Sequence, residues 1–584
     1  MGTGGQIISL FDKWLVKINK IEVWQVACVI TLIGFSVFFI GLINPFQNDD
    51  TFQIVINPPV HSITNVFQFF QSSTFWDGQK LTGVYYRPMM TTVFSLIYTL
   101  FGAHTFPYHL VQLSIYIASA FLLYLVFKHF FKPVLALPLA LIFLVHPLNS
   151  QVVYSIPTMQ DALFFFFGIL AIWLLISYKT TKSLWAVAAC LLLSMLSKES
   201  GFVFIIMALL YLFWFNRERF RSLIVTMILP VIAYLVLKLH AVGFSQIQRA
   251  AQIDSVHLAG RLFTAPSIIL FYVTKFLFPW ELATGRYWVY PEFSVNHVLI
   301  PLLIDLAIIG LIICLGIRVK SKMSRDMLYA YVFFALWTSI GLALYLQIMP
   351  LDMTASETWF YFPMAGLLGM IGIVFTTFKI RLQPKWILLF ITLLIGVLGV
   401  RSALRGLDYR SQYILARHDL AVSPGDYVAM NNISEYYINH HNYSEAEIYA
   451  KRSIDAYPVV TNYNNLGVAL EQSKNYVAAV QAYSRALQYN NLSIVYENLG
   501  LILMVYSDPV TINHFFQNAL KVYPHDYKLL VYSAIFEAEE GSTSSAKTDI
   551  VKATKYGSVP AYIYDNIMNN QPFVLTLLGR TLII

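Results

Sequence analysis

Charged residues and cysteines are scarce in this sequence. Charged residues make up 12% of its 584 residues and hydrophobic residues 58%, a balance that is too apolar for a soluble protein and predicts many membrane spans. The three cysteines all fall within apolar segments, so the polar C-terminal part has neither a disulfide framework nor a cysteine zinc site. Patterns of the HExxH, CxxC, GxGxxG and P-loop types are also lacking, and a soluble nucleotide-sugar or ATP site therefore finds no support.

Apolarity is uneven along the chain. It fills residues 22–402 and then fades, which predicts a membrane module there, preceded by a cytoplasmic segment at residues 1–21. Residues 403–426 are predicted to be a linker and residues 427–584 a separate polar domain. The formal net charge of +8 does not indicate nucleic-acid binding, because lysines and arginines cluster in short loops between apolar segments. The predicted fold class is all-α: a polytopic membrane helical bundle followed by a soluble α-solenoid.

Positive charges orient the membrane module. Three lysines within residues 13–20 precede the first span, which predicts a cytoplasmic N-terminus and an outer loop at residues 43–107. Later basic clusters fall on the cytoplasmic side only if the apolar stretches 88–101 and 262–280 lie in the interface or re-enter without crossing. Eleven spans are then predicted, at about 22–42, 108–127, 133–148, 162–178, 184–197, 201–215, 222–240, 297–316, 327–346, 358–378 and 386–402. The C-terminal domain is expected outside a prokaryotic plasma membrane, or in the lumen of an endoplasmic reticulum, which has the same topology.

A period of 33–34 residues marks the C-terminal part. Tyrosines close successive helical patterns at intervals of 32, 34 and 33 residues, at Tyr457, Tyr489, Tyr523 and Tyr556. The triplet Asn-Leu-Gly also recurs, ending at Gly467 and at Gly500. This pattern resembles the tetratricopeptide repeat, which implies helix pairs stacked into a solenoid with a concave binding face. A generic helical bundle is the alternative.

Two adjacent acids, Asp49 and Asp50, follow the first predicted span. Such a pair can simply mark the end of a span. A functional reading is favoured because a long outer loop begins here and because another acid, Asp161, opens a span in the next outer loop. A charge in or near hydrocarbon costs roughly 2.5–3.5 kcal/mol, so such residues usually have a partner or a function.

Three cations are predicted on the same outer face, at Arg87, Lys198 and Arg286. Acids and cations together fit sugar transfer from a lipid phosphate. A carboxylate can remove the proton of an attacking hydroxyl, and Lys or Arg can meet the charge that grows on the departing phosphate. The apolar stretches 88–101 and 262–280 could form the walls of a groove for the lipid.

The order of these residues resembles the GT-C membrane glycosyltransferases, above all the transmembrane-and-tetratricopeptide-repeat O-mannosyltransferases and their prokaryotic relatives. The resemblance lies in the succession Asp49-Asp50, Tyr86-Arg87-Pro88, His109-Leu110-Val111, His146-Pro147, Asp161 and Ser197-Lys198-Glu199, and in the order of membrane module and repeats. It implies that Asp49 or Asp50 is the catalytic base, with Arg87 and Lys198 near the donor phosphate and Asp161 as a second-loop acid. It also implies an inverting hexosyltransferase that uses a polyprenyl- or dolichyl-phosphate sugar, such as mannose, with protein Ser/Thr as acceptor.

The sequence departs from the family pattern at two points. An arginine is missing before Asp161, and the segment that begins at Glu357 also lacks the family's arginine. Arg286 is the hypothetical replacement as a phosphate ligand. His146 is expected to be a structural helix-end residue more than a ligand, and Glu199 either neutralises Lys198 or belongs to the site. Some GT-C enzymes hold a divalent ion, such as Mg²⁺ or Mn²⁺, between loop acids and others do not; both alternatives stay open here.

The acceptor and the class of protein have alternatives too. Besides a protein or peptide held by the repeats, the acceptor could be a lipid or a cell-surface glycan, for which aromatic side chains on the concave face are expected. A non-catalytic scaffold or a transporter is a different class. Transport is disfavoured because charges collect at the outer surface and the membrane half shows no internal two-fold repeat. A scaffold would tolerate the loss of Asp49 and Asp50.

Overall fold

The computed structural model describes residues 21–47, 49–76, 81–243, 251–378 and 384–584. The lysines at 13–20 and the predicted cytoplasmic segment lie almost wholly outside these residues. Contacts divide the chain into two compact units. One holds the described residues up to Phe75 and from Thr82 to Pro424, and the other holds Gly425–Ile584 together with Trp76 and Leu81.

The first unit is built almost entirely from helices. They are α1 (Val23–Phe38), α2 (Val66–Phe69), α3 (Pro88–Phe101), α4 (Thr105–Phe130), α5 (Pro133–Val145), α6 (Ser150–Tyr154), α7 (Met159–Ser177), α8 (Ser183–Ser197), α9 (Phe202–Phe215), α10 (Arg217–Val242), α11 (Leu258–Leu277), α12 (Ile300–Lys322), α13 (Arg325–Ala343), α14 (Tyr361–Thr377), α15 (Pro384–Arg405) and α16 (Gln412–Val422). Two short strands, β1 (Phe75–Trp76) and β2 (Leu81–Thr82), precede α3 in the chain.

Within the described residues, eight helices are long and apolar enough to cross a membrane, or nine if the pair Pro133–Val145 and Pro147–Tyr154, bent by 52°, is one span. The protein is therefore an integral, multi-pass membrane protein. Two predicted spans, 184–197 and 201–215, correspond to shorter helices. At about 1.5 Å per residue, the 15 residues of α8 fall short of a hydrocarbon core of about 30 Å. Nine of the eleven predicted spans therefore correspond to candidate spans, with the bent pair counted as one, and two correspond to shorter apolar helices.

Helix α3 lies in the segment 43–107, which was predicted to be a loop, and has sharp ends. Pro88 occupies its first turn, where a missing N–H costs no hydrogen bond. Gly102 ends it with φ of +65°, a backbone conformation that side chains with a Cβ rarely adopt. At 14 residues, α3 is too short to span. That length agrees with the prediction that residues 88–101 do not cross, and α11, predicted as the second such stretch, is not among the candidate spans either.

Most of the segment predicted to be a linker, 403–426, is helical and belongs to the first unit, which ends at Pro424. Helix α15 runs on to Arg405, and α16 follows it. Fully buried Arg405 places its guanidinium 2.9 Å from Asp408, 3.5 Å from Asp419 and 3.8 Å from Glu357. Asp419 in turn accepts hydrogen bonds from the backbone N–H and the hydroxyl of Thr284. This network fixes the end of the last long helix against the loops that precede α12 and α14.

The second unit consists of helix pairs. They are α17 (Tyr427–Asn439) with α18 (Tyr443–Ala456), α19 (Val460–Gln472) with α20 (Tyr476–Tyr489), α21 (Ser493–Tyr506) with α22 (Pro509–Val522), and α23 (Tyr527–Glu539) with α24 (Thr543–Tyr556). Helix α25 (Ala561–Asn569) and an antiparallel hairpin of β3 (Val574–Leu577) and β4 (Arg580–Ile583) follow. Below, the first member of each pair is called the leading helix and the second the trailing helix.

An asparagine or aspartate side chain caps the N-terminus of three of the trailing helices. The side chains of Asn442, Asn475 and Asp508 accept backbone N–H bonds from the first turn of α18, α20 and α22, and they stand 33 residues apart in the sequence. Such N-caps satisfy N–H groups that have no partner within the helix. The period seen in the sequence is therefore the repeat of one helical hairpin.

Small and aromatic residues interlock between the helices of a hairpin. A Cβ added to Gly467 on α19 would lie 2.4 Å from the ring of Tyr483 on α20, so only glycine allows this close packing. The hydroxyl of Tyr483 donates to Glu471 at 2.7 Å. Gly467 belongs to the recurring Asn-Leu-Gly triplet from which paired helices were predicted. The triplet therefore includes a glycine that the packing of the helical hairpin requires.

Candidate active site

Asp49 and Asp50 differ sharply in their surroundings. The side chain of Asp49 is exposed, whereas Asp50 is 2% exposed. Oδ2 of Asp50 accepts the backbone N–H of Gln47 at 2.8 Å, and its Oδ1 has no hydrogen-bond partner among the described residues. Asp49 contributes its backbone carbonyl to Gln53 at 2.9 Å, in the first turn of a short helix at Thr51–Val55. Asp50 thus stabilises the turn, and Asp49 presents the carboxylate that another molecule can reach.

Two charged neighbours act on Asp49 in opposite directions. Protein packed around Asp49 raises the pKa of its carboxyl, the nearby Asp352 raises it further, and Arg87 lowers it. For Asp50, burial raises the pKa well above the ordinary range of a carboxyl. A raised pKa makes a carboxylate a better proton acceptor, because the affinity for a proton grows with the pKa.

Arg87 directly precedes the first turn of α3. Its guanidinium lies 4.0 Å from the ring centroid of Tyr85, and its Nε lies 3.7 Å from Glu199. Glu199 also accepts the backbone N–H of Tyr86 at 3.1 Å. Glu199 therefore pairs with Arg87, and not with the adjacent Lys198 that the sequence suggested. A loop cation and an acid from the α8–α9 turn are held together by these contacts.

Lys198 forms an ion pair with Asp161. Its Nζ lies 2.6 Å from Oδ1 of Asp161, and both side chains are buried. Oδ2 of Asp161 has no hydrogen-bond partner among the described residues. Burial disfavours a charged Lys198, but the charge of Asp161 outweighs it and raises the pKa of the ammonium. The second-loop acid and the predicted phosphate ligand are thus direct neighbours.

The charge of Arg87 acts on Asp49 and also on Lys198 of the Lys198–Asp161 pair. It acts on the carboxyl of Asp49 and on the ammonium of Lys198. The charges of Lys198, Asp161 and Arg87 all act on the pKa of the Tyr345 hydroxyl as well. The structure therefore brings four of the residues predicted from sequence into one neighbourhood: Asp49, Arg87, Asp161 and Lys198.

The other predicted site residues make structural contacts. His146 accepts the backbone N–H of Leu148 at 3.2 Å and hydrogen-bonds the carbonyl of Phe276 at 3.0 Å, as a helix-end residue does. Arg286 donates to the carbonyls of Val422 and Glu281, at 3.0 and 2.8 Å. Glu357 is 1% exposed and pairs with Arg405.

Sequence reasoning missed Asp352 and Arg405. Asp352 accepts the hydroxyl of Tyr85 at 2.9 Å, and it lies 303 positions beyond Asp49 in a loop without a recognisable pattern. Arg405 supplies a guanidinium to Glu357, in the segment where the sequence lacks the family's arginine. Arg405 lies just past the predicted end of the last span, and this position could have drawn attention to it. Cations at span ends are common, however, because they set the orientation of a span in the membrane.

Among the described residues, no group of three or more His, Cys, Asp or Glu side chains is arranged to hold a metal ion. The charges of Asp352 and Arg87 both act on Asp49. Mg²⁺ is commonly held by one or two carboxylates together with water and a substrate phosphate.

Comparisons with known proteins bear on this site. Residues 87–242 match the family model described as dolichyl-phosphate-mannose-protein mannosyltransferase. The matched segment begins at Arg87 and contains Asp161 and Lys198. A relative from Caenorhabditis elegans, Protein O-mannosyl-transferase F38B6.6, is 30% identical over 209 residues, which are 34% of this chain and 29% of that protein. The predicted resemblance to membrane O-mannosyltransferases is thereby confirmed, over a minor part of the length of either chain.

A solved structure gives a weaker likeness. ArnT from Cupriavidus metallidurans, crystallised with undecaprenyl phosphate, aligns over 79% of both chains at 13% identity with a TM-score of 0.35. A similarity at this level does not establish a common fold.

Proposed function

We propose that the first unit is a glycosyltransferase that moves a hexose, such as mannose, from a polyprenyl- or dolichyl-phosphate carrier to a hydroxyl acceptor. One observation carries the proposal: Arg87 lies 3.7 Å from Glu199, the sequence neighbour of Lys198 in the buried Lys198–Asp161 pair, and its charge also acts on the exposed Asp49. A proton acceptor and two cations are then available around one reacting centre. The matched family and the worm relative, whose names specify mannosyl transfer, support the choice of sugar donor.

The mechanism follows from these groups. The carboxylate of Asp49 accepts the proton of the acceptor hydroxyl as that oxygen forms its bond to the anomeric carbon. The bond from that carbon to the phosphate oxygen breaks, and the lipid phosphate leaves with the electron pair. Arg87 and Lys198 meet the developing negative charge. Attack from the face opposite the phosphate inverts the anomeric configuration.

An apolar surface next to the site suits a lipid carrier. Helix α3, which begins directly after Arg87, exposes Leu96, Leu100 and Phe101. Exposed side chains of this kind cost little when they face lipid and would be unfavourable in water. A polyprenyl tail lying along α3 would leave its phosphate near the first turn of this helix.

We propose that the acceptor is a serine or threonine of a protein and that the site faces the outer side of the membrane. The test is product analysis with the purified full-length protein in lipid nanodiscs. Radiolabelled polyprenyl-phosphate mannose and polyprenyl-phosphate glucose are supplied in parallel, with an unstructured Ser/Thr peptide, a glycolipid and an oligosaccharide as acceptors. Label that enters the peptide and is released by β-elimination supports the proposal. Label that enters only lipid or glycan would keep the chemistry and overturn the protein acceptor.

The side of the membrane on which the second unit lies is tested separately. A single cysteine introduced as Ser544→Cys, at an exposed position of α24, is expected to react with a membrane-impermeant maleimide in intact cells. Reaction only after the membrane is opened would place the second unit on the cytoplasmic side. The parent chain, with Cys28, Cys190 and Cys314, is the control.

A further inference from the structure

The loop that carries Asp49 is tied to a segment far along the chain. It runs from residue 44 to residue 50, and we call it the acid loop. The side-chain amide of Asn44 donates to the carbonyl of Gly406 at 3.4 Å, and that of Gln47 donates to the carbonyl of Tyr409. Both contacts join residues that are 362 positions apart. Two hydrogen bonds with the same offset fix the register of the acid loop against residues 402–410, which we call the anchor segment.

Helices α1 and α15 contact each other before these hydrogen bonds begin. A Cβ added to Gly399 on α15 would lie 3.3 Å from the side chain of Val37 on α1. Asn44 and Gln47 come later in the chain, after α1 has ended at Phe38 and a 3-10 turn has followed it. The two amide hydrogen bonds therefore act on the loop that follows α1, and not on the packing of the helices.

A buried aromatic ring lies between the start of the acid loop and the anchor segment. Tyr154 is 2% exposed, its hydroxyl donates to the carbonyl of Ser402 at 3.0 Å, and its ring centroid lies 5.6 Å from that of Tyr409. A Cβ added to Gly406 would lie 2.7 Å from this ring, and one added to Gly41 would clash with it as well. Only glycine therefore allows both segments to approach Tyr154 so closely.

The anchor segment is itself held in place by Arg405. This fully buried residue contacts three carboxylates in the network described above. Its guanidinium also lies 5.3 Å from the ring centroid of Tyr409. The residue whose carbonyl accepts the hydrogen bond from Gln47 is thus fixed by the same network.

Gln47 is connected to Asp49 through a closed turn of the backbone. The N–H of Gln47 donates to Oδ2 of Asp50 at 2.8 Å, and the N–H of Asp50 donates to the carbonyl of Gln47 at 3.1 Å. On the other side, the carbonyl of Asp49 accepts the N–H of Gln53 at 2.9 Å. The main chain of Asp49 is therefore held between this turn and the short helix at Thr51–Val55, while its carboxylate is exposed.

We propose that Gln47 is a positioning residue for Asp49. Its side-chain N–H holds the acid loop in register on the anchor segment, and this register places the carboxylate of Asp49 for the transfer step. An N–H donor is required at this position because the acceptor, the carbonyl of Tyr409, offers only lone pairs. A displacement of about 1 Å can slow a reaction by about 10²-fold. The inference deepens the proposed function, on which it rests for Asp49 as the base.

Gln47→Met tests this role because it keeps the length of the side chain and removes its N–H donors without adding a charge. Full-length protein in nanodiscs is used for single-turnover transfer from radiolabelled polyprenyl-phosphate mannose to the Ser/Thr peptide. The rate constant is expected to fall about 10–100-fold, while Kd for the donor changes by less than about twofold. Partial unfolding would lower the amplitude of the reaction and not its rate constant. The control is Gln71→Met, at an exposed position, which is expected to leave both quantities unchanged.

Hydrogen exchange measures whether the acid loop has been released. Gln47→Met is expected to accelerate amide exchange in residues 49–55 about tenfold or more, with the rest of the first unit unchanged. Gly406→Ala is expected to give the same result, because its Cβ would meet the ring of Tyr154. Its control is Gly396→Ala on α15, where an added Cβ meets nothing within 4 Å.

Several results would overturn the positioning role. Slower transfer by Gln47→Met without faster exchange in residues 49–55 is one, and a donor Kd that rises in parallel with the fall in rate is another. A measurement on the parent protein applies whether or not the variants fold. If the amides of Asp50 and Gln53 exchange there as fast as those of an unstructured peptide, the acid loop is not anchored.

The failure of this role and the failure of the proposed function have different outcomes. Faster exchange in Gln47→Met, without transfer by the parent protein, contradicts the glycosyltransferase proposal alone. Transfer by the parent protein with a rate constant that Gln47→Met leaves unchanged contradicts the positioning role alone.

Discussion

Nζ of Lys198 lies 2.6 Å from Oδ1 of Asp161, in a buried ion pair that joins the α8–α9 turn to the start of α7. Lys198 is therefore neutralised before any donor arrives. A lipid phosphate that approaches would add a second anion to the same cation, with Arg87 as the nearby additional charge. The pair both holds the site together and keeps Lys198 protonated.

Removal of one partner of this pair is expected to destabilise the protein more than removal of both. Asp161→Asn leaves the ammonium of Lys198 buried without a counter-charge, which typically costs about 3–5 kcal/mol. The double variant Asp161→Asn/Lys198→Met removes both charges and is expected to recover part of that loss. Denaturant unfolding in detergent measures the difference, with exposed Asp352→Asn as the control. Additive losses in the double variant would contradict the buried pair.

The pH dependence of transfer is expected to shift in opposite directions in two variants. Asp49 works as a carboxylate, so the rate falls as the pH drops through its pKa. Arg87 lowers this pKa and Asp352 raises it. Arg87→Ala should thus move the acid limb of kcat/KM to higher pH, and Asp352→Asn should move it to lower pH. Shifts of the same sign, or none, would contradict Asp49 as the titrating base.

Arg405 is expected to be essential for folding. It is fully buried among Glu357, Asp408 and Asp419. Arg405→Met would leave these carboxylates without their cation, at a cost of about 3–5 kcal/mol in the free energy of unfolding. The control is Arg410→Met, at an exposed position of the same segment. If both variants unfold at the same denaturant concentration, the network does not hold the first unit together.

Substitution of Arg286 distinguishes a structural role of this residue from a role in binding the donor. Its guanidinium donates to two backbone carbonyls, and hydrogen bonds of charged donors contribute about 1.5–3 kcal/mol each. Arg286→Ala is expected to lower stability while the Kd for polyprenyl-phosphate mannose changes less than twofold. Lys198→Met, by contrast, should raise that Kd about tenfold or more. A large rise in Kd for Arg286→Ala would restore the phosphate role that the sequence suggested for it.

The sequence predicted the elements of this protein better than the contacts between them. Apolar runs and a 33-residue period identify the membrane helices and the helical pairs because these features are local. The different environments of Asp49 and Asp50 depend on a turn in which adjacent residues point to different sides, so spacing could not separate them. Likewise, Lys198 pairs with Asp161 across 37 positions, and not with Glu199 beside it. Helices α8 and α9 were counted as full spans because apolarity reports burial as well as lipid contact.

The role of Asp49 as the base is tested by comparing Asp49→Asn with Asp50→Asn in a single-turnover transfer from radiolabelled polyprenyl-phosphate mannose, using folded protein in nanodiscs. If Asp49 is the base, Asp49→Asn should slow transfer by about 10²–10⁴-fold while donor binding persists. Asp50→Asn keeps the exposed carboxylate of its neighbour and should retain most of the rate in the fraction that folds. Transfer by Asp49→Asn at the rate of the parent protein would contradict the account.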